Sequence, residues 1–308
     1  MYGTEHIYAL LFLIVSALSV AHPPLSGQTP FADAHLRIGV VAPSASDGDA
    51  AAAVMNGVRL GAAEAKQTAR LFGSDLDLYE SGGAGTQSVV QAATSLVSLR
   101  HIQVLVGTVA SDADALSRFA ETSGILFLNA ASRRSSLRAA CRRNTFHIEA
   151  SDGMYANAAR SGRADSVVLW DASLQRFGAS QLNDRYRTMF KSGMSGSAWA
   201  GWAAIKVVAE AAMRARSAEP GRLRAYLEAP GTQFDGHKGW PLSFRPADHQ
   251  LRQPLYVVVA GNQNGATRSR VLRDTPDLRI LAESGSAVAD VLDRLISKTG
   301  AHCSWPSR

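Results

Sequence analysis

Cysteine and lysine are scarce in this 308-residue chain, and each scarcity excludes something. The two cysteines, Cys141 and Cys303, show no paired spacing and have no histidine beside them except His302, so a cysteine-ligated metal site is not expected. Lysine is confined to Lys66, Lys191, Lys206, Lys238 and Lys298, whereas arginine is abundant. The basic residues are spread along the chain, and no basic run is interleaved with stacking aromatics. A formal net charge of +6 therefore does not point to nucleic acid as a partner. The apolar run Ile7 to Ala21 is too short for a confident membrane span. There is no low-complexity tract.

Hydrophobic residues make up 46% of the chain, enough for a packed core. The run Ile7 to Ala21 is followed by two small-residue cleavage patterns, Ser19-Val20-Ala21 and Ala32-Asp33-Ala34, so residues 1–34 read as a secretion signal. Glu5 and His6 stand where such signals carry Lys or Arg, which leaves an uncleaved anchor as the alternative. Export implies a periplasmic location and an oxidising compartment. An even cysteine count there favours a Cys141 to Cys303 disulfide, with two buried thiols as the alternative.

From Leu36 to Ala150 the chain alternates between strand and helix patterns. Leu36–Pro43, Leu76–Glu80, Ile102–Gly107 and Ile125–Asn129 are short apolar runs. Between them Ala50–Arg70, Thr86–Arg100 and Asp112–Ser123 repeat apolar residues at helical spacing. This order predicts a doubly wound α/β fold with a parallel sheet. Beyond Ala150 the expected elements are a helix from Asp152 to Arg160 and a strand from Ser166 to Trp170. Helices Ala179–Lys191, Ser197–Arg216 and Gly221–Glu228 follow. Strands Trp240–Phe244 and Pro254–Ala260, joined by a polar turn with Pro246, Asp248 and His249, precede a last helix Val288–Ser297.

Enzyme motifs are near misses. Gly83-Ala84-Gly85 has Ser88 where a dinucleotide fingerprint needs its third glycine, and it follows the wrong strand. Gly193-Met194-Ser195-Gly196-Ser197 lacks the final glycine of a nucleophile elbow and any strand leading into it. No H-E-x-x-H occurs. His237, in GHKG, reads as a turn residue. Catalytic residues, cofactor and metal are not expected.

The segments LRIGVVAP, NGVRLGAAEA, IQVLVGTVASDADAL, GILFLNAAS and FHIEASDGMY, in this order, resemble the first lobe of type I periplasmic binding proteins. The nearest group is that of the branched-chain amino acid and amide binders of ABC transporters. WDASLQRFGASQLNDRYRTMF, AWAGWAAIKVVAEA and FDGHKGWPLSFRPADHQLRQPLYVVV resemble the subfamily that accompanies PQQ-dependent alcohol dehydrogenases. So do CRRNTFH and the late Cys303. The resemblance implies a solute-binding protein that clamps a small molecule between two lobes and delivers it to an ABC permease. It also exposes a hole, because only Ser161 to Asp165 stand where the family places several βα units. The expected organisation is thus residues 35–150 and 197–308 as the first lobe and 151–196 as a much reduced second lobe. Apolar surface left uncovered by the missing units would favour self-association.

By the same resemblance, Ser111 matches the hydroxyl that binders of this family turn toward the ligand carboxylate. Asn129, Ala130, Ala131 and Ser132 match the loop whose backbone N–H groups complete an anion cradle. Arg133 stands where the family commonly has Thr, which points to a bulkier or more anionic ligand. Ser111 and Asp112 have a plainer alternative as helix caps. Arg133, Arg134, Arg138, Arg142 and Arg143 read as a solvated basic loop, with an anionic ligand as the alternative. Trp170, Trp199 and Trp202 could wall an apolar ligand, although Trp199 and Trp202 share a core stripe with aliphatic residues. The alternative to transport is a degenerate or sensor-like binding module.

Overall fold

The computed structural model of the chain describes residues 35–82, 88–162, 166–263, 266–275, 287–296 and 302–305. The expected signal, Gly83-Ala84-Gly85 and the end of the last expected helix lie outside them. Strands β1 (Leu36–Val41), β2 (Leu76–Ser81), β3 (Val104–Gly107), β4 (Leu126–Asn129) and β5 (Thr145–His147) form one parallel sheet in the order β2-β1-β3-β4-β5. Every residue of β3 and β4 is buried. That continuous apolar character is what a strand covered on both faces requires. The far side of β5 is met by the 249–250 backbone, where the His147 N–H donates to the His249 carbonyl at 2.9 Å.

Helices cover both faces, as a doubly wound sheet demands. Helix α1 (Gly48–Leu71) packs with α7 (Gly196–Ala215) on one face, where Val54, Val58, Trp202 and Ile205 join Ile38, Val104, Val106 and Leu128. On the other face α2 (Val89–Arg100) and α3 (Ala113–Ser123) bring Ala93, Leu96, Leu116 and Ala120 against Leu105 and Phe127. Helices α1 and α7 meet backbone to backbone. A Cβ on Gly57 would lie 1.8 Å from the Ala198 carbonyl oxygen, and one on Gly201 2.1 Å from that of Val54.

Helix α4 (Ser135–Ala139) is one short turn, and α5 (Asp152–Gly162) leaves the sheet. Strand β6 (Val167–Val168) follows almost at once and pairs with β10 (Leu255–Gln263), which in turn pairs antiparallel with β11 (Ala266–Thr275). No further βα unit stands between α5 and β6, and the sheet of β1–β5 is the one parallel sheet among the described residues. Helix α6 (Ala179–Phe190) lies on α1, with an Arg185–Glu64 ion pair at 2.6 Å. Leu182 and Tyr186 enter the same apolar cluster as Leu36 and Ile38.

Several expectations change here. Trp170 is buried, stacked on Trp199, and its indole donates to Asn183 Oδ1 at 2.9 Å, so it walls no ligand. Strand β8 (Pro241–Phe244) pairs with β7 (Phe234–Asp235) and β9 (Leu251–Arg252), not with β10, because a turn locked by Arg245–Asp248 bonds returns the chain to β9 first. Ser195 is the N-cap of α7, accepting from the Ala198 N–H at 3.3 Å, so the GMSGS segment is a helix start.

His237 is a turn residue with φ of 57°. Beside it Lys238 is fully buried, donating to the Leu169 and Pro254 carbonyls and to Gln253 Oε1, with its ammonium 3.9 Å from the Trp199 ring centroid. Burial lowers its pKa well below the ordinary lysine value, but three acceptors and an aromatic face are the surroundings an ammonium takes. Helix α8 (Pro220–Glu228) and α9 (Val288–Asp293) complete the described helices. Cys141 and Cys303 form the disulfide, across 162 residues of sequence, and Trp305 then stacks on His249 at 4.8 Å. No helix among the described residues is long and apolar enough to cross a membrane.

Candidate functional site

Because β1, β3, β4 and β5 run parallel, the loops that leave them gather at one edge of the sheet, where such folds bind ligands. The β1 and β3 loops are joined by Thr108, whose hydroxyl donates to the Val41 carbonyl at 2.9 Å. Ser111 is exposed and donates to Asp112 Oδ1 at 3.2 Å. Asp112 sits at the N-cap position of α3 but makes no side-chain cap bond, so capping does not account for it. Burial raises the Asp112 pKa, and the neighbouring Asp47 carboxylate adds to the rise.

The β4 loop is closed on itself. Asn129 Oδ1 accepts from the Ser132 N–H at 2.8 Å and the Ala131 N–H at 3.4 Å, while Nδ2 donates to the Ser132 carbonyl at 2.8 Å. The Ala130 N–H donates to the Gly107 carbonyl at 3.3 Å. These are the N–H groups from which the anion cradle was expected. Asn129, Ala130 and Ser132 are all buried. The structure thus makes Asn129 the brace of the loop, and it leaves Ser111, Asp112 and Arg133 as the accessible members of the expected set. Asn129 Nδ2 also lies 3.2 Å from His147 Nδ1, an arrangement that suits a neutral imidazole accepting there. Burial, then the charge of Arg138, hold His147 well below its ordinary pKa.

Two side chains that sequence reasoning passed over complete the edge. Glu149 and Tyr155 flank the start of α5, and Tyr155 donates to Glu149 Oε1 at 2.8 Å. Glu149 is 2% exposed, and burial raises its pKa. Arg133 is half-exposed and reaches back over them, its guanidinium 4.0 Å from the Tyr155 ring centroid and its Nε 3.6 Å from Glu149 Oε1. Arg138, expected in a solvated loop, is instead buried. Its guanidinium donates to the Ser132, Arg134 and Glu149 carbonyls and to Gln250 Oε1 at 2.6 to 3.1 Å. Desolvation lowers its pKa to about 10. Arg142 and Arg143 pair with Asp114 and Glu228. The five arginines are therefore mostly neutralised from within the fold. One acidic residue at the end of an apolar strand, Glu149 in HIEAS, was the signal available for this cluster.

Two clefts lie elsewhere. One of about 690 Å³ runs between Phe72, Met213 and Tyr226, and one of about 490 Å³ between Lys206, Phe234 and Trp240. Both lie along the C-terminal half of α7 and include none of the expected site residues. The triplet His35, Asp75 and Asp77 has metal-ligand chemistry, but Lys66 already stands 2.7 Å from Asp77.

No family model matches the chain, and no curated protein matches it in sequence. Solved structures do. An ABC transporter substrate-binding protein from Sphaerobacter thermophilus superposes with a TM-score of 0.67 at 12% identity, covering 78% of this chain and 97% of its own. A solute-binding protein from Rhodopseudomonas palustris BisB5, in complex with 3,4-dihydroxybenzoic acid, gives 0.67 at 11% identity over 79% and 97%. The branched-chain amino acid binder LivJ from Streptococcus pneumoniae, in complex with isoleucine, gives 0.62 at 14% identity over 77% and 99%. At such identities the likeness is one of fold, and the fold of this chain is the type I periplasmic binding protein fold.

Proposed function

We propose that the chain is an extracytoplasmic solute-binding protein of an ABC transporter, working through the loop edge of the parallel sheet β1–β5. The observation that carries this reading is the convergence of the β1, β3, β4 and β5 loops, with Ser111, Asp112 and Arg133 accessible, on a fold shared with substrate-binding proteins. A disulfide that ties the tail to the β5 region supports an oxidising compartment. The ligand is a small polar or carboxylate solute and the macromolecular partner a permease. The segments quoted above favour a system allied to PQQ-dependent alcohol oxidation.

The reduction of the second lobe sets the affinity. Clamping binders draw contacts from both lobes and exclude water on closure. Leu169, Trp170, Leu182 and Tyr186 share the apolar cluster of Leu36 and Ile38, and Arg185 pairs with Glu64, which supports a single-sided site. A half-site open to water holds a small solute at about millimolar Kd. Leu71, Phe72 and Leu99 lie exposed, surface on which copies of the chain would self-associate. Calorimetry of the mature chain against leucine, benzoate, amides and short alcohols tests the reading. Weak binding that Ser111→Ala abolishes supports it. Micromolar binding to a monomer restores a complete clamp, and no binding at all favours a degenerate module.

A further inference from the structure

The cleft edge holds two arginines in opposite circumstances. Arg138 is buried and donates four hydrogen bonds, so it is part of the scaffold. Arg133 is about half-exposed, and its closest approach to Glu149 is 3.6 Å, outside the 2.7–2.9 Å of a charge-assisted hydrogen bond. Its backbone is held independently, since its carbonyl accepts from the Asp152 N–H at 3.0 Å. Its side chain is therefore free to leave without unmaking the loop. What it would leave behind is a buried carboxylate, Glu149, bonded to the hydroxyl of Tyr155, whose ring face carries the guanidinium at 4.0 Å. A buried carboxylate beside an aromatic face is the pair of features that recognises an organic cation. Asp152, Asp112 and Asp47 add negative charge along the same edge.

We infer that Glu149 and Tyr155 form an exchangeable cation seat which the Arg133 side chain fills from within the chain and which a solute bearing a guanidinium or ammonium group takes over. The inference rests on the proposed cleft and names a ligand class for it. A solute cation competes with Arg133 directly, so the wild-type affinity is reduced by the share of time that Arg133 occupies the seat. Removing Arg133 lifts that competition.

Calorimetric titration of the full chain with methylguanidinium and agmatine, with benzoate as the anionic comparison, tests this. Arg133→Ala and Arg133→Gln should each bind agmatine about tenfold tighter than the wild type, and Glu149→Gln or Tyr155→Ala placed on Arg133→Ala should abolish the gain. Equal agmatine affinity in the wild type and both Arg133 variants overturns the inference, as does a gain for benzoate instead. Wild-type binding of leucine or benzoate that Ser111→Ala weakens, with no gain for agmatine, overturns it while leaving the proposed function standing. A gain for agmatine with no solute bound by the wild type does the reverse.

Discussion

Asn129 and Ser111 were expected to share one task, and their surroundings separate them. Asn129 satisfies two backbone N–H groups, one carbonyl and a histidine nitrogen in a buried loop. Orphaned buried groups cost about 1–3 kcal/mol each, so Asn129→Ala should cost about 3 kcal/mol or more in urea unfolding. Ser111→Ala, at an exposed position, should cost less than about 0.5 kcal/mol. Similar losses at the two positions would contradict the assignment of brace and contact. His147 adds a pH dependence. Its folded pKa lies below 6.5 while the unfolded chain titrates near 6.5, so the unfolded state binds more protons as the pH falls through that window. Stability should therefore drop on acidification below about pH 6.5, and His147→Asn should flatten that part of the profile. Glu149 contributes with the opposite sign. Its raised pKa makes folding take up a proton, so its share of stability is present in acid and fades as the pH rises above the unfolded value. Glu149→Gln should remove that share. None of these partners could be read from sequence, because a buried Asn or Arg looks like a loop residue until the carbonyls around it are placed.

At the scale of elements, the βα units were legible because β1, β3 and β4 are predominantly apolar runs, broken only by Arg37 and closed by Asn129, and α1, α2 and α3 carry helical stripes. The short β5 and the single-turn α4 were not, since three to five residues hold no period. The hairpin of β10 and β11 was half seen. Asn264-Gly265 between two extended runs was its signal, but the polar alternation of Ala266–Thr275 lacks the apolar face by which strands are found. The contact of α1 with α7 gives this scale its test. Adding a methyl at Gly57 or Gly201 would drive it into a backbone carbonyl. Gly57→Ala and Gly201→Ala should each cost about 1–3 kcal/mol or more, read from the urea midpoint, because neither helix can withdraw without opening the core. Ser88→Ala, which removes the N-cap of α2, should cost about 1 kcal/mol.

For the whole molecule, the tail is the long-range tie. The disulfide closes a loop across 162 residues, and Trp305 and the Cys303 N–H anchor to His249 and to the Ala247 carbonyl. Cys303→Ser should cost about 5 kcal/mol on loop entropy alone. An unfolding midpoint unmoved by reductant would remove the tail from the account. The gap after Arg160 was legible in the sequence. What the gap does was not, because packing of α6 onto α1 depends on Arg185, Leu182 and Tyr186 finding partners more than 100 residues away. That packing brings α6 into the apolar cluster that α1 and α7 form on one face of the sheet. The most direct measurement is an amide-resolved NMR titration of residues 35–308 with leucine, benzoate and agmatine. The account predicts saturable shifts confined to the loops after β1, β3, β4 and β5, with a Kd of about a millimolar. Shifts confined to the two clefts along the C-terminal half of α7, or none at these loops, would contradict it.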